Sequence, residues 1–232
     1  MPNHIKNRMT INATPEVVES IYNEFNTYVP ASIYKSMDGR FICKDTTVEG
    51  FSCGWLDPHT GVFEQRGLTP QNGIPQDWEV EIKPEVNAFP DFKKVIPPPL
   101  DPVYDSKNSQ DHNPNWWYNW NRQNWGTKWN SYHHEKEKWN VFTFNTAWNS
   151  PVVIIKQMSL KFPDVEFTLE YSDEDTGYNC GELKIGAGIA LSENIPEGGS
   201  KEAYDLAFKL RPNYREYYKL VDGEYEAIED ED

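Results

Sequence analysis

Residues 115–130, NWWYNWNRQNWGTKWN, hold five of the chain's nine tryptophans, and Trp139 and Trp148 follow soon after. Bases are interleaved with them. Over 116–140, Arg122, Lys128, Lys136 and Lys138 stand against only Glu135 and Glu137, in a chain of formal charge −15. Aromatic faces stack on nucleobases, and lysine or arginine neutralises phosphate, so this mixture suits a surface that grips a nucleotide or a single strand. The candidate binding residues are Arg122, Asn124, Trp125, Lys128 and Trp129. Lys6 and Arg8 join them from an N-terminal stretch with no acid before Glu16. The competing reading is structural: Trp116, Trp120, Trp125 and Trp129 close a core, their indole N–H groups satisfied by the many nearby asparagines. The two readings combine into a packing hub with a basic rim.

Other chemistry has less support. His133-His134 with Glu135 and Glu137 suggests a metal, but adjacent side chains on a strand point to opposite faces and do not readily meet on one ion. No metal and no cofactor are expected. No H-E-x-x-H, P-loop or G-x-S-x-G pattern is present, and no residue is singled out as catalytic. Gly186 and Gly188 in KIGAGIA mark close packing in a strand more readily than a phosphate cradle. Asp173, Glu174 and Asp175 read as a solvated turn. Cys43, Cys53 and Cys180 match no C-x-x-C spacing; Cys43 and Cys53 could join across a hairpin.

The elements that would position these residues follow from periodicity. HIKNRMTIN alternates, with Ile5, Met9 and Ile11 opposite Lys6, Arg8 and Thr10, and predicts a half-buried strand. Thr14 and Pro15 open a helix whose stripe is Val17, Val18, Ile21, Tyr22 and Phe25. GRFICKD, VEGFSCGWLD, GVFEQRG and WEVEIK predict short strands. KKVIPPPLDPVYD predicts an extended connector that is neither helix nor central strand. SKNSQDHNPN predicts a polar loop. Asn113 and Pro114 open a helix over 115–124, with Trp116, Trp117 and Trp120 on one face and Gly126 as its stop.

EKWNVFTFNTAW predicts one strand. Ser150 and Pro151 open a helix with Val152, Val153, Ile155, Met158 and Phe162 inward, ended by Pro163. VEFTLEY places Val165, Phe167, Leu169 and Tyr171 inward. NCGELKIGAGIAL predicts one strand, Ser200 caps KEAYDLAFKL, and a hairpin turns at Asp222-Gly223. Without its insertions the order is a split β-α-β arrangement, an α+β sheet with two helices on one face.

The length of 232 residues suits one domain with elaborations. The expectation is a single ferredoxin-like domain over 1–232, with an irregular β-containing insertion at about 38–137 and a C-terminal helix and hairpin at about 192–232. The tail DGEYEAIEDED carries seven acids and no base, and taking those from −15 leaves the body acidic too. That argues against binding nucleic acid through the whole surface. No apolar run approaches the ~20 residues of a membrane helix, and MPNHIKNRMT lacks a signal-peptide apolar region. A cytoplasmic location in the host cell, with no membrane partner, is the expectation.

MPNHIKNRMTI at the start, DFKKVIPPP at 91–99, NWGTKWN at 124–130, FTFNTAWNSP at 142–151 and FPDVEFTLEY at 162–171 occur in that order. Together they resemble the phage and plasmid proteins called Api92-like, which carry a YubB-type ferredoxin-like domain. The resemblance touches about residues 1–190 and rests most on NWGTKW combined with TAW and proline. It implies a ferredoxin-like fold, in the sense of topology, and a home on phages, prophages or conjugative elements. It implies no reaction and carries no catalytic residues.

The resulting expectation is an accessory protein of a mobile element, a non-enzymatic binding module for a host or phage macromolecule, most readily a protein. The alternatives are a nucleotide- or single-strand-acting enzyme or binder at the tryptophan and basic rim, and an acidic polyanion mimic countering a host DNA-binding protein. Lys6, Arg8 and Lys128 are expected on one connected patch beside Trp125 or Trp129, on a sheet face free of helices. Replacing all three by alanine is expected to leave folding nearly intact.

Overall fold

The computed structural model describes residues 3–35, 41–46, 50–56, 63–65, 79–100 and 115–228, with side chains described over 3–27, 89–100 and 115–228. In chain order the elements are β1 (His4–Asn12), α1 (Pro15–Phe25), β2 (Thr27–Lys35), β3 (Phe41–Thr46), β4 (Gly50–Leu56), β5 (Phe63–Gln65), β6 (Glu79–Ala88), α2 (Phe92–Val95) and α3 (Trp117–Asn124). They continue as β7 (Tyr132–Lys138), β8 (Val141–Ala147), α4 (Val152–Lys161), β9 (Glu166–Asp173), β10 (Cys180–Gly186), β11 (Ile189–Asn194), α5 (Lys201–Leu210), β12 (Tyr218–Val221) and β13 (Glu224–Ala227). The chain divides into two compact units, Thr27–Asn87 and the remainder.

The larger unit is built on an antiparallel sheet of order β11-β10-β9-β1-β8-β7. Within it β1-α1-β7-β8-α4-β9 is the split β-α-β unit, with β1 hydrogen-bonded between β8 and β9. Strict alternation puts Ile5, Met9 and Ile11 on the inner face, each fully buried. Val18, Ile21 and Phe25 of α1, Ile154, Ile155 and Met158 of α4, and Phe167 and Leu169 of β9 complete that core. The expected inward set Val165, Phe167, Leu169 and Tyr171 is buried throughout. In α4 the buried side is Ile154, Ile155, Met158 and Ser159, while Val153 is exposed. The buried stripe thus takes in Ile154 and Ser159 in place of Val153, while Val152 and Phe162 pack partly buried against the core as expected.

Four local features differ from the sequence expectation. EKWNVFTFNTAW is not one strand: Trp139-Asn140 turns between β7 and β8. NCGELKIGAGIAL likewise folds back at Ala187-Gly188, with φ of 47° and 81°. Two successive positive φ values make the tight hairpin turn that matches strand twist. A Cβ at Gly188 would also lie 2.5 Å from Leu160 Cδ2. Gly188→Ala is therefore expected to cost about 1–2 kcal/mol from the left-handed backbone alone, read as a lowered thermal midpoint. No loss would show that the turn tolerates a side chain.

Third, Lys93–Val95 of the expected extended connector belong to the single-turn α2, because Asp91 accepts a hydrogen bond from Lys93 N at 3.0 Å and caps it before Pro97. Fourth, Thr14 occupies the start of α1 without a side-chain cap hydrogen bond. Its hydroxyl engages Glu16 instead, and Glu16's own backbone together with Thr14 holds that carboxyl below its ordinary range. Asn113 and Pro114 and most of the polar loop lie outside the described residues.

The opposite face of the sheet is partly covered. Ser200 caps α5 by accepting from Ala203 N at 3.2 Å. Lys209 of that helix ion-pairs Glu170 of β9, and Cys180 Sγ lies 3.5 Å from Ala203 O. The hairpin β12–β13 turns at Asp222-Gly223 as expected and packs Tyr218 and Tyr225 against Tyr204 and Phe208. In the smaller unit, the four strands legible from sequence form a sheet of order β5-β4-β3-β2-β6, to which β2 is an unforeseen addition. Its register sets Cys43 opposite Cys53. Among the described residues no helix is long and apolar enough to cross a membrane.

Candidate functional site

The tryptophan segment separates into an inner and an outer set. Trp125 is 3% exposed, donates its indole N–H to Ile96 O at 2.9 Å, and meets Phe92 edge-on at 5.8 Å and Trp120 at 5.3 Å. Trp120 packs on the same core. These two are the packing hub, and the partner of the Trp125 indole is a backbone carbonyl rather than an asparagine side chain. Trp116 and Trp129, also expected in the core, lie outside it, and Trp129 is 37% exposed.

The outer set converges on Tyr118. Trp116, Trp117 and Trp148 place their ring centroids 4.9, 5.8 and 5.7 Å from it. Over these rings sit two cations. Arg122 Cζ is 5.2 Å from the centroid of Tyr118 and 5.6 Å from that of Trp148. Lys128 Nζ is 4.8 Å from the centroid of Trp129, 4.9 Å from Trp148 and 6.0 Å from Tyr118. Among the described residues neither cation is paired with a carboxylate. The sequence singled out this segment and both of these cations as candidates, but not Trp148, whose distance from the cluster in sequence hides its place in it. Tyr118 carries no signal in sequence that sets it apart from the tryptophans around it.

Local hydrogen bonds fix this geometry. α3 ends at Asn124, whose Nδ2 donates to Trp120 O at 2.9 Å. Gly126 at φ 78° reverses the chain, as its expected role as a stop requires. Asn121 Nδ2 donates to Lys128 O at 2.9 Å, and Lys128 N donates to Ala147 O at 3.3 Å. Trp148 has φ 77°, a conformation that costs a bulky residue energy and persists only when its surroundings enforce it. Trp148 N donates to Asn3 O at 2.9 Å, and Asn179 Nδ2 donates to Trp148 O at 3.2 Å. The ring is thus held from both sides of its own peptide.

The expected patch of Lys6, Arg8 and Lys128 does not assemble as a set of free cations. Lys6 and Arg8 do point away from the core, opposite Asn145 and Thr143 of β8 and Ser172 and Glu170 of β9. However, Arg8 Nη1 donates to Glu170 Oε2 at 2.7 Å and Arg8 Nε to Glu137 Oε2 at 2.9 Å. Glu137 first, then Glu170, raises the guanidinium above its ordinary value against the effect of burial. Glu170 is only 3% exposed and also takes Lys209. Arg8 is a structural cation. Trp125 cannot flank a surface patch because it is buried, whereas Trp129 does border Lys128.

His133 and His134 diverge, but through a break in the strand rather than simple alternation. His133 has φ 52°, and the β7–β8 register shifts between Tyr132 and Glu135. His133 turns to Asn145, while His134 Nε2 lies 2.9 Å from Ser131 Oγ. Burial holds His134 down at about 4 despite the opposing pull of Asp91. Tyr132 pairs with His4 through its hydroxyl and is raised to about 12, chiefly by burial and then by Glu174.

Sheet order and helix placement define an α+β protein of the ferredoxin-like class. Residues 124–211 match the family model described as "Ferredoxin-like domain in Api92-like protein", and the chain carries that domain. The match begins at the end of α3, so β1 completes the sheet, and α1 packs on it, from outside the matched residues. No curated protein and no solved structure matches the chain significantly.

Proposed function

We propose that this chain is a non-catalytic binding module of an accessory protein from a phage, prophage or conjugative element, and that it engages a host or phage macromolecule through the outer aromatic face. The mobile-element setting rests on the Api92-like resemblance. The observation that carries the binding role is the pair Arg122 and Lys128, held over Tyr118, Trp129 and Trp148 without a carboxylate among the described residues. Among the described residues Arg8, Lys161, Lys184, Lys201, Lys209 and Lys219 pair with carboxylates. Two that rest on half-exposed rings instead keep their charge available, and rigid aromatics beside them offer large contact area at small entropic cost.

Affinity capture from a host lysate tests this reading with the wild-type chain and with Arg122→Glu/Lys128→Glu. Reproducible retention of the same macromolecule by the wild type, and its loss on charge reversal, is the expected result. Equal retention by both forms removes the aromatic face from the function. Turnover of a nucleotide by the wild type, abolished by the same substitutions, replaces the module with an enzyme at this site.

A further inference from the structure

Resting on that reading, we infer that the ligand of the outer face is single-stranded nucleic acid, bound by an exchange in which bases take ring faces now held by the cations. Lys128 Nζ lies between Trp129 and Trp148, nearly equidistant at 4.8 and 4.9 Å from their centroids. Arg122 covers Tyr118 and Trp148 in the same manner. An ammonium or guanidinium on an aromatic face is attracted by the ring's quadrupole but remains close to water. A phosphate diester offers it a full negative charge. Once the cation swings to that phosphate, the vacated ring can stack on a base, and any base has such a face.

The alternatives use only part of this surface. A duplex would satisfy the cations but hides its base faces within the stack. An acidic peptide would satisfy the cations and leave the rings without partners. A mononucleotide needs one ring and one cation, whereas here two cations are spread over three rings. Trp148 adds an independent observation: its backbone, bonded to Asn3 and Asn179, holds a conformation rare for a bulky residue, and both cations lie over its ring. Strain of this kind concentrates where a side chain must be presented in a fixed position. The acidic body repels a long polyanion elsewhere, so binding is confined to this patch and to a few nucleotides.

The test uses the full chain with labelled oligothymidylate and oligouridylate of about ten nucleotides, followed by anisotropy and by intrinsic tryptophan fluorescence. Saturable binding with quenching is expected, with log K falling against log salt at a slope of about −1.4 for two released counterions. Arg122→Gln and Lys128→Gln should each reduce that slope by about 0.7. Trp129→Ala should weaken binding about tenfold or more while leaving the salt slope unchanged. Trp129 is outside the core, so this variant keeps the test valid if Trp148→Ala disturbs the fold.

A preference for one oligomer identifies DNA or RNA as the source of the shared chemistry. No binding of either at about 50 mM salt overturns the inference. So does equal competition by a duplex of the same length, or binding that ignores Trp129. Binding of polyglutamate as tight as that of the oligomers also overturns it, while leaving intact a module that captures a protein from lysate. If the lysate yields nothing that depends on Arg122 and Lys128, the module reading itself fails.

Discussion

Changing Arg8 to alanine is expected to destabilise the protein by about 2–4 kcal/mol, far more than removal of an exposed lysine would. The sequence places Arg8 on the outward side of β1, where such a substitution should matter little. What changes the expectation is its partner. Glu170 is 3% exposed, covered by α5, and its two oxygens are taken by Arg8 and Lys209. Removing Arg8 leaves a buried carboxylate with one flexible lysine, which is 54% exposed and is shared with Glu182 at 4.0 Å.

Removing the carboxylate is less costly, since Arg8 keeps Glu137 and Lys209 can turn to water. Glu170→Gln should therefore lose less stability than Arg8→Ala. Arg8→Met/Glu170→Gln should recover much of the loss, because a pair removed together leaves no buried charge. Urea midpoints at fixed slope measure all three. If Arg8→Ala stays within about 0.5 kcal/mol of the wild type, the buried-carboxylate argument is wrong.

Arg8 also shows how far the sequence was legible. Its side of the sheet was readable, because β1 alternates cleanly and alternation fixes faces. The cover on that face was not, because a C-terminal helix after two hairpins can return to either side of a sheet, and nothing in KEAYDLAFKL says which. The ferredoxin-like core was readable for the same reason as β1: VEFTLEY and the α1 stripe have one period each.

The two missed turns, Trp139-Asn140 and Ala187-Gly188, lie inside runs of good strand formers, and the second depends on two positive φ values. Only Gly188 announces such a φ by residue type. At the site, Lys128 and Arg122 were legible from local charge. The division of the tryptophans was not, since burial of Trp125 but not Trp129 depends on the way the chain reverses at Gly126 and on the pairing of Lys128 N with Ala147 O. Both are tertiary facts.

Acid is expected to remove about 3 kcal/mol of stability through one residue, His134. The geometry assigns its tautomer. Ser131 Oγ donates its only proton to Pro90 O at 2.5 Å, so it must accept from His134 Nε2 at 2.9 Å. The neutral ring with its proton on Nε2 is the form that fits. Burial, the largest cause, lowers the folded-state value to about 4 from an ordinary 6.5; Asp91 raises it and His133 lowers it further. The unfolded chain therefore binds the proton more readily than the folded one. The stabilisation is complete above the unfolded value, declines as pH falls from about 6.5 to about 4 at roughly 1.4 kcal/mol per unit, and is gone below the folded value.

By pH 5 the loss should reach about 2 kcal/mol, before most carboxylates titrate. His134→Gln keeps an N–H donor near Ser131 but cannot take a proton. It should be no more stable than the wild type at pH 7.5, and the difference between the two should shift in its favour by about 2 kcal/mol at pH 5. Denaturant unfolding of both proteins across this range reads the effect directly. Parallel curves for the two would mean that His134 is as accessible to protons as an unfolded histidine, and the enclosed Pro90–Ser131–His134 arrangement would have to be given up.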